Sequence, residues 1–489
     1  MTPSHNDTLD QELRKYCLNS LLTLIAESSK KLYRNGESCE TVIWKRRLGG
    51  LLEEFKQLMP IWGLAELSYR AIINSNDHRS LDPKLDDLYK LNNFLAEATD
   101  KAVPRNTVDD ARLPIFVGLP QTQLWWQEIV RNRASIVYDF LRYYLLLNEM
   151  PKHFPQLPQP NDDLLKITGF GIEDFSKLLF SSYAWLYSSA TTDINLMKVD
   201  NEVTKSNPVI TLDNMKKCLS FFSEDYAYFR ESTHANNPLF FRPIIKTQSS
   251  QLIISNMFIW VKMLYEGIYW LIRDEYRKKG STDFTSAFGQ YYEKYVESFL
   301  HHYLKPADFQ RINEPGKADW LIFTNKYVLI VEQKSALMSV ALKKPYPEAE
   351  QFGEYLKIFN KARAQLFNTD ASLKKDRKAS IKLILHFETM YFKEAFIKAE
   401  LVRMNGGDKN LLKHYFLVDT KEFEVLIQLL SEDPGKAEEI IRTKIDYEIN
   451  PPPPAAGLDF FDVIEKKGRP KKISFLEKHR HIFDDLVKV

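Results

Sequence analysis

The sequence predicts an α+β protein of more than one unit: a large helical N-terminal region, then a C-terminal unit in which helices and strands alternate. Three observations carry this. Apolar residues recur at intervals of three and four over most of residues 9–280, the period of a one-sided helix. Short β-type apolar runs gather only after residue 309 and then alternate with helical stretches. The chain has 489 residues, more than one core usually serves. The division expected is a helical domain over 1–160, a second helical domain over 161–282 with a short β-hairpin near 238–255, an α/β unit over 283–450, and a proline-rich linker with a basic tail over 451–489.

From Leu9 to Met150 the pattern reads as helices throughout, with Leu51, Phe55 and Leu58 on one stripe and Val137, Leu141, Tyr144 and Leu145 on another. The run MPKHFPQLPQP from Met150 breaks it, because proline lacks an amide proton and turns its predecessor away from helix. Helical spacing resumes at Asp162. Pro238 to Thr247 and Leu252 to Ser255, split by Gln248-Ser-Ser-Gln, read as a hairpin, and Met257 to Lys278 as a helix. A further helix over Asp283 to Leu304 carries Phe284, Phe288, Tyr292, Tyr295, Phe299 and Tyr303 on its apolar face. Strands are predicted at Phe309–Ile312, Asp319–Phe323 and Tyr327–Lys334, the last two joined by Thr324-Asn325-Lys326. Helix 348–367, strand 381–387, helix 393–403, strand 415–419 and helix 421–430 follow, the last folded helix ending near Lys444. Pro451 to Pro454 predicts a stiff segment and the remainder a short tail.

Composition excludes several classes. With 67 Lys and Arg against 65 Asp and Glu the net charge is +2, so the chain is no polycation that coats nucleic acid, and any such contact must be local. Cys17, Cys39 and Cys218 are the only cysteines and form no CxxC pair, which argues against a disulfide framework or structural zinc and for a reducing compartment. The start lacks a basic then apolar leader, and the apolar stretch Ile253 to Ile272 is interrupted by Lys262 and Glu266, so a cytoplasmic protein without membrane contact is expected. No Walker-type phosphate loop occurs. His301-His302 and His479-Arg-His481 lack partners at metal spacing and read as packing or solvated histidines; Trp125-Trp126 and the aromatics of Tyr265 to Trp270 read as helix core.

The chemistry concentrates on the run Tyr327-Val-Leu-Ile-Val-Glu-Gln-Lys. Its apolar part reads as a strand entering a core, and it ends in Glu332 and Lys334, which their spacing puts on one face. Buried charges need partners or a metal. Asp319 precedes Glu332 by 13 positions, and the spacing alone brings it alongside only if the sheet splays or bends. Asp319 followed by Glu332-Gln333-Lys334, with a Glu-bearing helix before and a helix after, resembles the PD-(D/E)XK nuclease superfamily over roughly residues 283–388. The resemblance implies a restriction-endonuclease-like α-β-β-β-α-β domain. It also implies Mg²⁺, with Mn²⁺ as a substitute, held by Asp319, Glu332 and the backbone carbonyl of Gln333, hard oxygen donors for a hard cation. Lys334 would orient the attacking water, and Glu293, with Glu297 as competitor, would add the leading-helix carboxylate. Gly289, one turn earlier, leaves room for a close approach. Ala318 stands where the motif's name has proline. Gln351 and Tyr355 have the Gln-xxx-Tyr spacing of one exonuclease branch, with Gln365 an equal candidate.

Two basic stretches bear on a nucleic-acid partner. Lys361, Arg363, Lys374, Lys375, Arg377, Lys378 and Lys382 face only Asp370 and Asp376 in the same stretch, and read either as phosphate contacts beside the site or as a solvated loop. Lys466-Lys-Gly-Arg-Pro-Lys-Lys472, with Lys467, Arg469 and Lys471, resembles an AT-hook core for the narrow minor groove; a plain basic linker is the favoured alternative. The expectation is therefore a Mg²⁺-dependent endonuclease acting on nucleic acid, DNA favoured, in a restriction-like anti-phage role. The helical N-terminal region would serve a protein partner or a homo-oligomer. The alternative is a catalytically inactive nuclease-fold module that binds nucleic acid or a protein.

Overall fold

The computed structural model describes residues 5–37, 39–48, 51–102, 135–231, 237–335, 349–373, 378–388, 394–407, 415–449, 460–468, 470 and 472–487. It is an α+β molecule, with helices over most of the first 300 residues and a five-stranded sheet after them. Among the described residues no helix is long and apolar enough to cross a membrane.

The N-terminal part packs helices Leu18–Asn35, Ile61–Asn74 and Leu85–Ala102 with Ser135–Tyr144 (α1), which runs on as a π turn, Leu145–Glu149, and a 3-10 turn, Met150–His153, at the prolines. This region is not helical throughout. Cys39–Leu48 (β1) and Leu51–Pro60 (β2) form an antiparallel hairpin in which Lys45 stands opposite Glu54 and Arg46 opposite Glu53. Leu51, Phe55 and Leu58 are therefore strand residues. The Thr41-Val42-Ile43-Trp44 run and the diglycine at 49–50, which suits a two-residue turn, outweigh their helix-like spacing.

The hairpin expected near 238–255 is present in shorter form. Pro238–Phe240 is a 3-10 turn, Ile244–Lys246 (β4) pairs antiparallel with Leu252–Ile254 (β5), and Ser223–Asp225 (β3) adds a parallel neighbour. Met257–Lys278 (α2) follows, capped by the Asn256 side chain, which accepts from the Phe258 amide. Tyr269 and Trp270 are buried on α2, so those aromatics are core; Trp125 and Trp126 lie outside the described residues.

The C-terminal sheet is built as the alternation predicts. Asp283–Tyr303 (α3) leads into Phe309–Arg311 (β6), Trp320–Phe323 (β7) and Tyr327–Lys334 (β8), an antiparallel meander. Ala349–Ser372 (α4) crosses to Ala379–His386 (β9), and Glu394–Met404 (α5) crosses to Tyr415–Asp419 (β10). Strands β8, β9 and β10 are mutually parallel, giving the order β10-β9-β8-β7-β6. Parallel neighbours require long crossovers, and the two helices supply them. Alternate residues of β8 serve two cores. Leu329 and Val331 join the large apolar cluster shared with α3 and Thr420–Glu432 (α6); Val328 and Ile330 face Phe352, Tyr355, Leu356 and Phe359 of α4.

The chain does not end in a free tail. Helices Phe460–Lys467, Ser474–Lys478 and Arg480–Val487 follow the prolines, and Phe460, Val463, Ile464, Ile473, Phe475 and Leu476 are buried in the same cluster as Leu9 and Leu13. Their apolar spacing gives them a face to bury, which a solvated linker lacks. Prolines 451–454 are outside the described residues. A buried ion-pair network ties the N-terminal part to the sheet unit. Arg142 of α1 donates to both oxygens of Glu424 on α6 (2.8 and 2.6 Å) and to Asp139 (2.7 Å), and the Tyr295 hydroxyl donates to Glu424 at 2.6 Å. His301 and His302 are exposed and meet Phe309 and Phe475 edge-on, so they are solvated histidines with a ring contact each.

Candidate active site

The hairpin register decides the geometry. Trp320 pairs with Val331 and Phe323 with Val328, and the ladder ends there; Asp319 is the residue just before β7, at a bend of the chain. The bend that the spacing called for is present at Asp319 and brings its carboxyl beside that of Glu332. At the bend the Asp319 amide donates to the Val331 carbonyl at 3.0 Å, one residue out of the ladder's register, and the Asp319 Oδ2 accepts the Gln333 amide at 2.7 Å. On the other face the Gln333 side chain accepts from the Trp320 indole at 3.0 Å, which pins the intervening residue.

Two carboxyl groups thus sit side by side at the carboxyl end of β8. Glu332 is 1% exposed. Burial and the neighbouring Asp319 push its carboxyl up to about 7, against the pull of the Lys334 ammonium. Burial also raises Asp319, opposed by the Gln333 amide and Lys334. Lys334 closes on Glu332 Oε1 and donates to the Gln365 side-chain oxygen of α4 at 3.3 Å. The second oxygen of Glu332 is buried and receives no hydrogen bond. A buried carboxylate oxygen without a donor is expensive unless a proton or a cation meets it.

Around this pair the other expected residues fall unevenly. Glu293, on α3, feels the Asp319 charge but is bonded to Arg311 at 2.8 Å, while Glu297 pairs with Lys294 at 2.7 Å. Of the two, Glu293 is the one turned toward the centre. Among the described residues no three His, Cys, Asp or Glu side chains come together closely enough to hold a metal ion, so the acidic centre is a pair. The donor set that is present, two adjacent carboxyls with one unbonded oxygen, fits a hard divalent cation. Gly289 does allow a close approach: a Cβ there would lie 3.0 Å from the Ser335 hydroxyl oxygen, just past Lys334. Ala318 in the proline position has a use as well, since its amide donates to Thr369 of α4 at 2.7 Å, and proline has no such proton. Gln365, and not Tyr355, reaches the centre; Tyr355 is buried against the sheet, and the side chain of Gln351 is outside the described ones.

Among the described residues, Lys378, Lys382 and Lys467 of the basic stretches have partners away from the pair. Lys378 precedes β9 and donates to the Thr324 carbonyl at 2.5 Å, at the Tyr327 end of the sheet. Seven strand steps, about 23 Å, separate that end from Lys334. Lys382 is buried against Asp370 at 2.7 Å. Lys374, Lys375 and Arg377 lie outside the described residues. Lys467 closes a helix and pairs with Glu439 at 2.7 Å, where an AT-hook core would be extended; Arg469 and Lys471 lie outside the described residues.

Sequence reading missed His386. It ends β9 directly beside Lys334 and shares that residue's face. Its Nδ1 lies 2.5 Å from the Glu388 carbonyl, so that nitrogen carries the proton and Nε2 is left as an acceptor, and burial lowers its pKa. Counting along the parallel strand 381–387 would have found it, had the β8 to β9 register been known. The three comparisons give no relative: no protein-family model, no curated protein and no solved structure matches the chain.

Proposed function

We propose that the chain is a Mg²⁺-dependent nuclease of the PD-(D/E)XK kind, Mn²⁺ serving in place of Mg²⁺, and that its substrate is nucleic acid, DNA favoured. The observation that carries this is the Asp319 carboxyl lying beside that of Glu332, with an unbonded buried carboxylate oxygen and the Lys334 ammonium next to it. A divalent cation there would polarise a phosphoryl oxygen. Asp319, Glu332 and the Gln333 carbonyl are the atoms that would hold it. Gln333 and Trp320 keep the two carboxyl-bearing strands in step. Lys334, held by Glu332 and Gln365, is placed to orient a water for attack and to offset charge on the phosphate. A restriction-like defence role against invading DNA is the biological form this reading takes.

A second reading, a nuclease-fold module that binds without cutting, is favoured by one observation: the acidic centre is a pair, with Glu293 bonded to Arg311. The two part in one experiment. Purified protein is incubated with plasmid, linear, single-stranded and RNA substrates in Mg²⁺, beside Lys334→Ala and Asp319→Asn, the latter keeping an acceptor for the Gln333 amide. Cleavage that falls about 10²–10⁴-fold in both variants is expected. Cleavage retained in both would sink the nuclease reading, and calorimetric Mg²⁺ binding that ignores Asp319 and Glu332 would turn the choice to the binding module.

A further inference from the structure

The N-terminal helices reach the reaction end of the sheet through one ring. Phe387 is the first residue after β9, and its amide donates to the Lys334 carbonyl at 3.0 Å, so its placement fixes where β8 ends. Its side chain is gripped edge-on by three aromatics: Phe288 and Tyr292 of α3, at centroid distances of 5.2 and 5.1 Å, and Tyr143 of α1 at 5.5 Å. Tyr143 in turn lies against Tyr265 of α2 at 5.9 Å. The neighbouring Arg142 locks the same turn of α1 to α6 through its paired bonds to Glu424. Helix α1 is therefore bolted to the sheet unit at two successive residues, one by charge and one by ring contact.

We propose that Tyr143 is a positioning residue for Lys334, acting through Phe387, so that the helical N-terminal part sets the geometry of the candidate catalytic end. The inference rests on the nuclease reading for its effect on rate, and on geometry alone for its effect on the strand end. Edge-to-face pairs hold direction as well as distance, since the ring edge of one must meet the face of the other. Removing the Tyr143 ring leaves the Phe387 ring held by α3 alone among the ring contacts, with its carbonyl still bonded to the Thr420 hydroxyl of α6 at 3.2 Å. The last bond of the β8 to β9 ladder, the one next to Lys334, then loosens. The Tyr143 hydroxyl is not needed for this, because the contact is between rings.

The test uses the full chain with Tyr143→Leu, which keeps apolar volume but loses the ring, and Tyr143→Phe, which keeps the ring. Hydrogen exchange is read on peptides spanning residues 383–388, together with cleavage kinetics at a temperature where all three proteins are folded. Tyr143→Leu is expected to speed exchange at the Phe387 amide and to lower kcat by about 10- to 100-fold with KM little changed. Tyr143→Phe should match the parent in both. If Tyr143→Leu protects the Phe387 amide as the parent does, or cuts as fast, the positioning role is overturned. If the parent itself does not cut any substrate, the nuclease reading fails, and the exchange of the Phe387 amide alone decides the positioning role. Equal exchange and rate defects in the Leu and Phe variants would also overturn it, because ring contact would then not be the agent.

Discussion

At the scale of single residues, Glu332 is the group whose behaviour most directly tests the candidate centre. In the fold it keeps its proton up to about pH 7, whereas in the unfolded chain a glutamate loses it near 4.3. Between those values the folded state binds more protons, so the stability due to Glu332 is complete below the lower pH and is lost as pH rises through the upper one. The expected result is a melting temperature that falls between pH 5 and pH 8. The slope should be reduced in Glu332→Gln, which stays neutral throughout; the full difference is on the order of 3 kcal/mol. A divalent cation competes with that proton, so Mg²⁺ affinity measured by calorimetry should rise over the same window. The partners of Glu332 were legible in part. Glu332 and Lys334 share a face by strand period alone, but Asp319 required the turn at Thr324 to fix the register, and Gln365 is 31 positions from Lys334 on a helix whose rotation no local pattern sets.

Among the elements, those of the sheet unit were readable because each has a strong local signal: β8 and β10 open on apolar runs that end in charged residues, and α2 and α3 carry long aromatic stripes. The β1 to β2 hairpin was not. Leu51, Phe55 and Leu58 match a helical stripe, and only the opposing run with its diglycine tells against it, a nonlocal pairing that propensity reads poorly. Helix α6 shows what local chemistry fixes well. Asp419 and Glu422 form a reciprocal capping box, so Asp419→Ala should lower stability by about 1 kcal/mol in urea titration. The Arg142 to Glu424 contact is larger in effect. Arg142→Ala would leave Glu424 buried without its ion partner, at a cost of about 3–5 kcal/mol, whereas changing both to apolar residues of similar size should recover much of it. Urea midpoints of the single and double variants check this.

For the whole molecule, the C-terminal helices matter more than their distance from the candidate site suggests. Six buried apolar side chains lie between Phe460 and Leu476, and at about 1.5–3 kcal/mol each their burial is comparable to the entire stability of an ordinary domain. A chain cut after residue 450 is expected to lose cooperative unfolding by calorimetry. A tail reading came from the prolines and the basic run, which describe how the segment begins and not what its later apolar face meets.

That shared core has a consequence for how the protein is made. Phe475 packs on Tyr295 and Phe299 of α3 and Phe460 on Phe416 of β10, so these apolar surfaces stay open while a ribosome is still adding the final helices. Nascent chains of this protein therefore carry uncovered apolar patches until the final helices are made, the situation in which chaperones are most needed. A chain assembled in this order completes the core behind its candidate site only once almost all of it has emerged.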